Sequence, residues 1–530
     1  MKIGDKASRN ARWRMKVDRP PELQNVEPKQ ERSELPPAQM RHIDKRNNSY
    51  AFNPETVGAD DLSYIQQCLD RQWRSRETTN GIDDEDIAAA ITLVIYKSIY
   101  EKRLDEFRLV RVPGEPTNGL AYCTSDNTFL IRNPKPERKT SLPCEIENQL
   151  IKTKNHCQIV FASRWAVYFN GWALRKLTEA KSCEIYPFSG DIKELLEAMT
   201  QVIQHFGHGV DRRYTLPKFR NIIPDFALGR LGLDPLNVAL LTGTDSYFSD
   251  KAGFYFCIHQ QVIQDTHVAI VNHLEGISVE TDRVADNKIV CGDAWVGHGR
   301  CVTPDNLRSY VDRIKRGLSK KTGRGYLASI IAHHNWLTLY VSEIFRFVTS
   351  ARDVENPYCD ILVSASGDLC ATINDKNKED YPYGRSIPVG SVASSLWHYY
   401  LEHLKTLPVR LRAWERKFGN AVLEHIQTPS NPPFFYLMQN KILPSISQSK
   451  RNIVFGDVHI TEMPGLIRHY LRSMLSRHGV HWALIEAYMG HCISGRYTHS
   501  DFAEGMQADI INCVCPVIDT LLEDLGWCDL

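Results

Sequence analysis

Apolar positions recur with a helical period over most of the chain. Ile87, Ile91, Leu93 and Ile95 run toward Tyr100 behind Asp86, a side chain able to cap a helix start. Ile192, Leu195, Leu196, Met199, Val202 and Ile203 form a second helical stripe. These patterns predict a helical region over 51–230. Residues 253–292 read as more extended, through Phe254-Tyr-Phe-Cys-Ile258 and His267-Val-Ala-Ile-Val271. Pro304 and Asp305 predict a helix start, and Tyr326, Ile330, Trp336, Leu339, Ile344 and Phe347 predict an aromatic helix up to Val348. After Arg352 the period changes to two. Cys359 to Val363, Leu369 to Ile373 and Arg385 to Val389 read as short strands, with Ser366-Gly367-Asp368 as a turn. Helices resume at Ser391 with Val392, Leu396, Tyr399, Leu401 and Leu404. Leu466, Ile467, Tyr470, Leu471, Met474 and Leu475 predict a helix ending near Gly479. Trp482, Ile485, Tyr488 and Met489 predict the next, ended by Gly490-His491. The fold class expected is mainly α with a small antiparallel β-sheet (α+β).

Length and charge refine this. The 530 residues allow two or three domains, and 42% apolar residues allow a large core. A basic arm is expected over 1–50, an N-terminal region over 51–303 and a further domain over 304–530. Lys2, Lys6, Arg9, Arg12, Arg14, Lys16 and Arg19 face only Asp5 and Asp18, and Pro20, Pro21, Pro36 and Pro37 follow. The arm either lies on phosphates or is a tail with no partner. The net charge is +1, so nucleic-acid binding would rest on local patches. One such patch is Arg313, Lys315, Arg316, Lys320, Lys321 and Arg324, interleaved with Gly317, Gly323 and Gly325. It reads either as a solvated loop or as a linker tracking a phosphate backbone.

Fourteen Cys are scattered without a CxxC pair, and Met1 to Arg19 has no apolar stretch. A cytoplasmic protein with reduced thiols is expected, nucleoid-associated if bacterial. The longest apolar segment, Ile87 to Tyr96, is about half of a membrane span. His333, His334, His478, His481 and His499 accompany no HExxH or carboxylate–His set, so no metal is expected.

The chemistry concentrates near the C-terminus, in Arg468-His-Tyr-Leu-Arg472, Gly490-His491 and Arg496-Tyr497. A Tyr hydroxyl is a poor nucleophile at its free pKa, but it can attack a phosphodiester whose developing charge is held by cationic donors. His469 and Arg472 are three apart and fall close together on one helix face.

These residues resemble the tyrosine recombinase (phage integrase) family over roughly 330–530. Thr349-Ser-Ala-Arg352-Asp-Val-Glu355 is similar to the family's first arginine box, with Ser350 where glycine is usual. Ile373-Asn-Asp-Lys376-Asn-Lys378, followed by Arg385-Ser-Ile-Pro388, resembles its β-hairpin lysine turn. Lys376 is preferred to Lys378 because it directly follows Ile373-Asn-Asp. His469-x-x-Arg472 is similar to the second box, Gly490-His491 to its Gly-His, and Tyr497 is the only Tyr after His491. His491 and Tyr497 lie closer together than in many members, and Pro357 shortens the segment after Glu355.

The resemblance implies a recombinase-like catalytic domain with a mostly helical DNA-binding region before it. Arg352 and Arg472 would hold the non-bridging oxygens of the scissile phosphate. His469 and His491 would donate to it or assist proton transfer. Lys376 would protonate the leaving 5′ oxygen. Tyr497 would attack and leave a 3′-phosphotyrosine, with no ATP, metal or other cofactor required. The implied partner is double-stranded DNA, bound by a tetramer on paired sites. The long N-terminal half leaves room for accessory recombination proteins, and no membrane is implied. A catalytically silent DNA-binding protein on the same fold and a type IB topoisomerase-like relaxing enzyme remain as alternatives. From Pro516, Val517, Ile518, Leu521, Leu522 and Leu525 form an amphipathic tail helix that packs either on its own domain or on a neighbouring protomer.

Overall fold

The computed structural model describes residues 57, 59–113, 119–132, 147–154, 156–208, 214–243, 255–276, 294–320, 325–352, 357–364, 367–374, 385–428, 430–445, 454–455, 465–490 and 506–527. The basic arm, Lys321, Arg324, Lys376, His491 and Tyr497 lie outside them. Tyr50–Leu530 forms one compact unit.

Helices dominate the described residues, with small sheets between them. In chain order the main elements begin with α1 (Ala59–Arg74), α2 (Asp84–Lys97), β1 (Arg108–Val110), β2 (Leu120–Cys123), β3 (Thr128–Arg132), β4 (Thr153–Lys154) and β5 (His156–Val160). They continue with α3 (Ala166–Glu179), β6 (Glu184–Ile185), α4 (Ile192–His208), α5 (Leu216–Asp225), α6 (Pro235–Thr242), β7 (Cys257–His259), α7 (Gln260–Leu274) and β8 (Trp295–Gly297). Next come α8 (Pro304–Ser319), α9 (Tyr326–Thr349), β9 (Tyr358–Val363), β10 (Leu369–Ile373), β11 (Arg385–Pro388), α10 (Ser391–Arg412) and α11 (Arg416–Gln427). The chain closes with α12 (Leu466–Arg477), α13 (Trp482–Tyr488) and α14 (Cys515–Asp524).

The segment 51–230, expected to be helical, also holds a five-stranded mixed sheet in the order β5-β3-β2-β1-β6. Its inner strands hide from the period because they are buried on both faces. All four residues of β2 are buried, so no alternation marks them. His267 to Val271 is helical rather than extended. Ile263, His267, Ile270 and Leu274 recur at helical spacing and are buried along α7. Asp86 does not cap α2, whose N-cap is Asp83; Asp86 accepts from Trp172 Nε1 at 2.7 Å and from Lys176 Nζ at 2.8 Å.

The start at Pro304 is the expected one, with Thr303 accepting from Asn306 N. The basic run is not a loop up to Ser319 but continues α8. Leu307, Tyr310, Val311 and Ile314 are buried on one face, each worth roughly 1.5–3 kcal/mol. Arg316 and Lys320 are exposed, and Arg313 and Lys315 half-buried. β9, β10 and β11 form the expected antiparallel sheet, with β10 in the middle.

The apolar interior forms two large clusters. One gathers residues from Ile65 to Val296. The other gathers Cys301 to Trp527 with Ile151 and Cys257, and α9 runs through it. Helix α12 ties the clusters together. Ser476 Oγ donates to Asp234 Oδ2 at 3.1 Å, between Leu233 and Leu236 of the first cluster, while Ser473 Oγ accepts from Cys257 N at 3.0 Å within the second. The tail helix α14 packs on its own domain. Ile518, Leu521 and Leu522 are buried, and Asp519 accepts from the backbone N and the Oγ of Ser391, both at 2.7 Å. No helix among the described residues is long and apolar enough to cross a membrane.

Candidate functional site

Helix α9 ends at Ser350, whose φ of 49° puts a non-glycine residue in the left-handed region. That conformation costs an L-residue about 1–2 kcal/mol. Two buried guanidiniums hold the carbonyl that results. Arg385 Nη2 donates to Ser350 O at 3.0 Å, and Arg468 Nη1 donates to the same oxygen. Their other nitrogens reach the end of α13. Arg385 Nη1 donates to Tyr488 O and Arg468 Nη2 to Met489 O, each at 2.8 Å. The Tyr488 hydroxyl donates to Val348 O.

Three segments distant in sequence are thereby drawn together: the end of α9, the start of α12 and the end of α13. Arg352, two residues beyond Ser350, is half-buried. Gly490 follows α13 with φ 67°, and a Cβ there would meet Arg385 Nη1 at 2.8 Å. Glycine is required by both the backbone and the close approach.

His469 and Arg472 do not act as one face. All residues from Leu466 to Leu475 are buried, so α12 has neighbours all round that stretch. His469 stacks on His298, with ring centroids 5.0 Å apart, and meets the tilted ring of Tyr255 at 4.8 Å. Burial first, then His298, Arg300 and Arg468, push its pKa well below the usual histidine value. It is therefore a neutral imidazole at pH 7, able to donate from one nitrogen and accept at the other. Burial and Arg300 likewise lower His298, to about 4.

Arg472 departs from the expectation of a phosphate-binding residue. It is fully buried, with Nη2 2.8 Å from Asp234 Oδ2 and Nε donating to Glu486 Oε1 at 3.0 Å. Burial would lower its pKa, but the two carboxylates outweigh this and keep it charged. A guanidinium so neutralised is a structural tie between the two cores. The arginine of α12 that meets the Ser350 and Met489 carbonyls is Arg468, one turn earlier.

Neither Arg468 nor Arg385 stands out in the sequence, because the His-x-x-Arg spacing points to Arg472 instead. His298 and Tyr255 carried no local signal, since they reach His469 from far along the chain. The basic residues of α8 lie elsewhere: Lys315, Arg316 and Lys320 line an open depression with Asp312 and Ser319. His334 and His403 pair at 3.1 Å between Nδ1 and Nε2, but among the described residues no group of three or more candidate ligands is arranged to hold a metal ion. No protein-family model, characterised protein or solved structure matches the chain.

Proposed function

We propose that the chain is a site-specific DNA recombinase that cleaves and rejoins strands through a 3′-phosphotyrosine, with Tyr497 as nucleophile. The observation that carries the reading is the meeting of three chain segments at Ser350. The Arg352 segment, Arg468-His469 and the turn leading to His491 are joined there by paired guanidinium bonds. Ser350 in a left-handed conformation also fits a position where the family resemblance calls for glycine. In this reading Arg352 holds the phosphate, and Arg468, fully buried with both terminal nitrogens on backbone carbonyls, positions the segments around Ser350 in place of the contact first expected of Arg472. His469 and His491 serve as hydrogen-bond donors or proton carriers, and Lys376 protonates the leaving 5′ oxygen. Double-stranded DNA is the substrate, and a tetramer on paired sites would exchange the strands.

The test traps the covalent intermediate. Nicked suicide duplexes carrying the ends of the encoding element are incubated with the protein in chelator, and denaturant-resistant adducts are resolved. An adduct is expected in wild type, with the label on the Tyr497 peptide. Tyr497→Phe should lose it, and adducts that persist in this variant would refute the assignment.

One observation favours a second reading, a catalytically silent DNA-binding protein on the same frame. Both terminal nitrogens of Arg468 donate to backbone carbonyls, and Arg472 is committed to two carboxylates. A wild-type protein that binds a DNA site tightly yet never forms an adduct would establish that alternative.

A further inference from the structure

Away from Ser350, the second core exposes two large aromatic rings in contact with each other. Tyr326 opens α9, and Trp414 stands in the turn between α10 and α11. Their ring centroids are 5.3 Å apart with planes 37° from parallel. They remain 53% and 61% exposed, so the pair covers little of either ring's apolar surface. Large apolar groups held in water at this level mark an interaction surface when charge or shape supplies a partner.

Charge supplies one here. Arg410, Arg416 and Lys417 are exposed around Trp414 in the chain. Among the described residues none of the three has a carboxylate in ion-pair range. Glu415, the carboxylate between them, accepts from Asn440 Nδ2 at 2.6 Å. Arg416 and Lys417 also occupy the first turn of α11, which contains no acidic residue. Cations at a helix N-terminus oppose its dipole, so these two do not serve α11 itself.

We propose that this surface binds single-stranded nucleic acid. An unpaired base stacks on an exposed face of the Tyr326–Trp414 pair, and the adjoining phosphates meet Arg410, Arg416 and Lys417. Stacking on aromatic side chains needs the open face of a base, which a duplex keeps covered by its own stack, whereas a strand offers bases and phosphates together. An acidic peptide would use the cations and leave the rings in water. The inference shares with the recombinase reading only the nucleic-acid class of the ligand.

The test uses the full chain carrying Tyr497→Phe, so binding is read without cleavage. Fluorescence anisotropy follows a labelled oligothymidylate, with an acidic peptide as competitor. Trp414→Ala should weaken binding about 5- to 150-fold, and Trp414→Phe, which keeps a ring, much less. The pair Arg416→Gln and Lys417→Gln should lower affinity and flatten its salt dependence. If Trp414→Ala lowers the melting temperature enough to unfold the chain, the Phe and Gln variants carry the test. The proposal is overturned if the parent does not bind the strand, or if the acidic peptide displaces it equally well. It is also overturned if a folded Trp414→Ala, or the Gln pair, binds like the parent. Because no adduct is measured, a failure of Tyr497 chemistry leaves the result intact, and the converse holds.

Discussion

A guanidinium buried between two carboxylates cannot also serve a phosphate without abandoning them. Arg472 is in that position, between Asp234 and Glu486. Arg472→Ala should therefore act on stability, at a cost of about 3–5 kcal/mol, because it strands two carboxylates in the interior. Chemical denaturation would read that loss. Arg468→Lys should behave differently. A lysine keeps the charge but cannot donate to Ser350 O and Met489 O as a planar fork does. Adduct yield should fall with a smaller change in the unfolding midpoint. If Arg472→Lys abolished adducts in a folded protein while Arg468→Lys spared them, the roles would be reversed. The ambiguity is legible in Arg468-His-Tyr-Leu-Arg472 itself: two arginines four apart point to the same side of a helix, and spacing alone cannot rank them.

The elements that frame the candidate site depend on how helices end. α9 stops at Ser350 and α13 gives way to Gly490, both in left-handed backbone. Arg385, from the first position of β11, bonds to carbonyls at both ends. Gly490→Ala brings a Cβ against Arg385 Nη1 and a backbone strain of about 1–2 kcal/mol. A lowered melting temperature is expected, together with a loss of adduct yield beyond what the unfolded fraction explains. The three strands after Arg352 were readable from their shortness and the turn residues between them rather than from alternation, since β10 is buried at four of its five positions. The strands of the five-stranded sheet were not, because burial on both faces erases the period. α8 shows the opposite error. Its basic, glycine-containing sequence suggests a loop, yet four apolar side chains on one face are enough to hold a helix through Ser319.

For the whole molecule, the buried histidines set an acid limit. His298 and His403 are held near 4 by burial, with neighbouring cationic groups adding to the effect, and His469 and His334 are pushed well below the usual value. Each protonates more readily in the unfolded chain than in the fold. Their contribution is thus fully present above about pH 6.5 and is lost as pH falls toward the folded values. Asp225, raised to about 7 by burial, and Glu275, also raised, oppose this by holding protons in the fold. His267, His333 and His425 are lowered by burial as well, so seven histidines outnumber the two carboxyls and stability falls as pH drops from 6 to 5. Unfolding midpoints measured across that window should fall steeply, and a flat profile would mean that the histidines titrate in the fold.

By itself the sequence determined the helical character of the chain, the small sheet between Arg352 and Ser391, and the starts of α8 and α10. Each is written in local periodicity, turn residues and caps that act over a few positions. It also brought forward Arg352, His469, Gly490 and Tyr497 as an ordered set. Only the tertiary structure decided which arginine of α12 meets the end of α9, that His469 is stacked and neutral, and that α14 packs on its own domain. Those outcomes depend on contacts between residues tens to hundreds of positions apart. Asp234 meeting Arg472 and His298 meeting His469 are examples. Burial and charge neutralisation arise from such contacts, and no local pattern carries them.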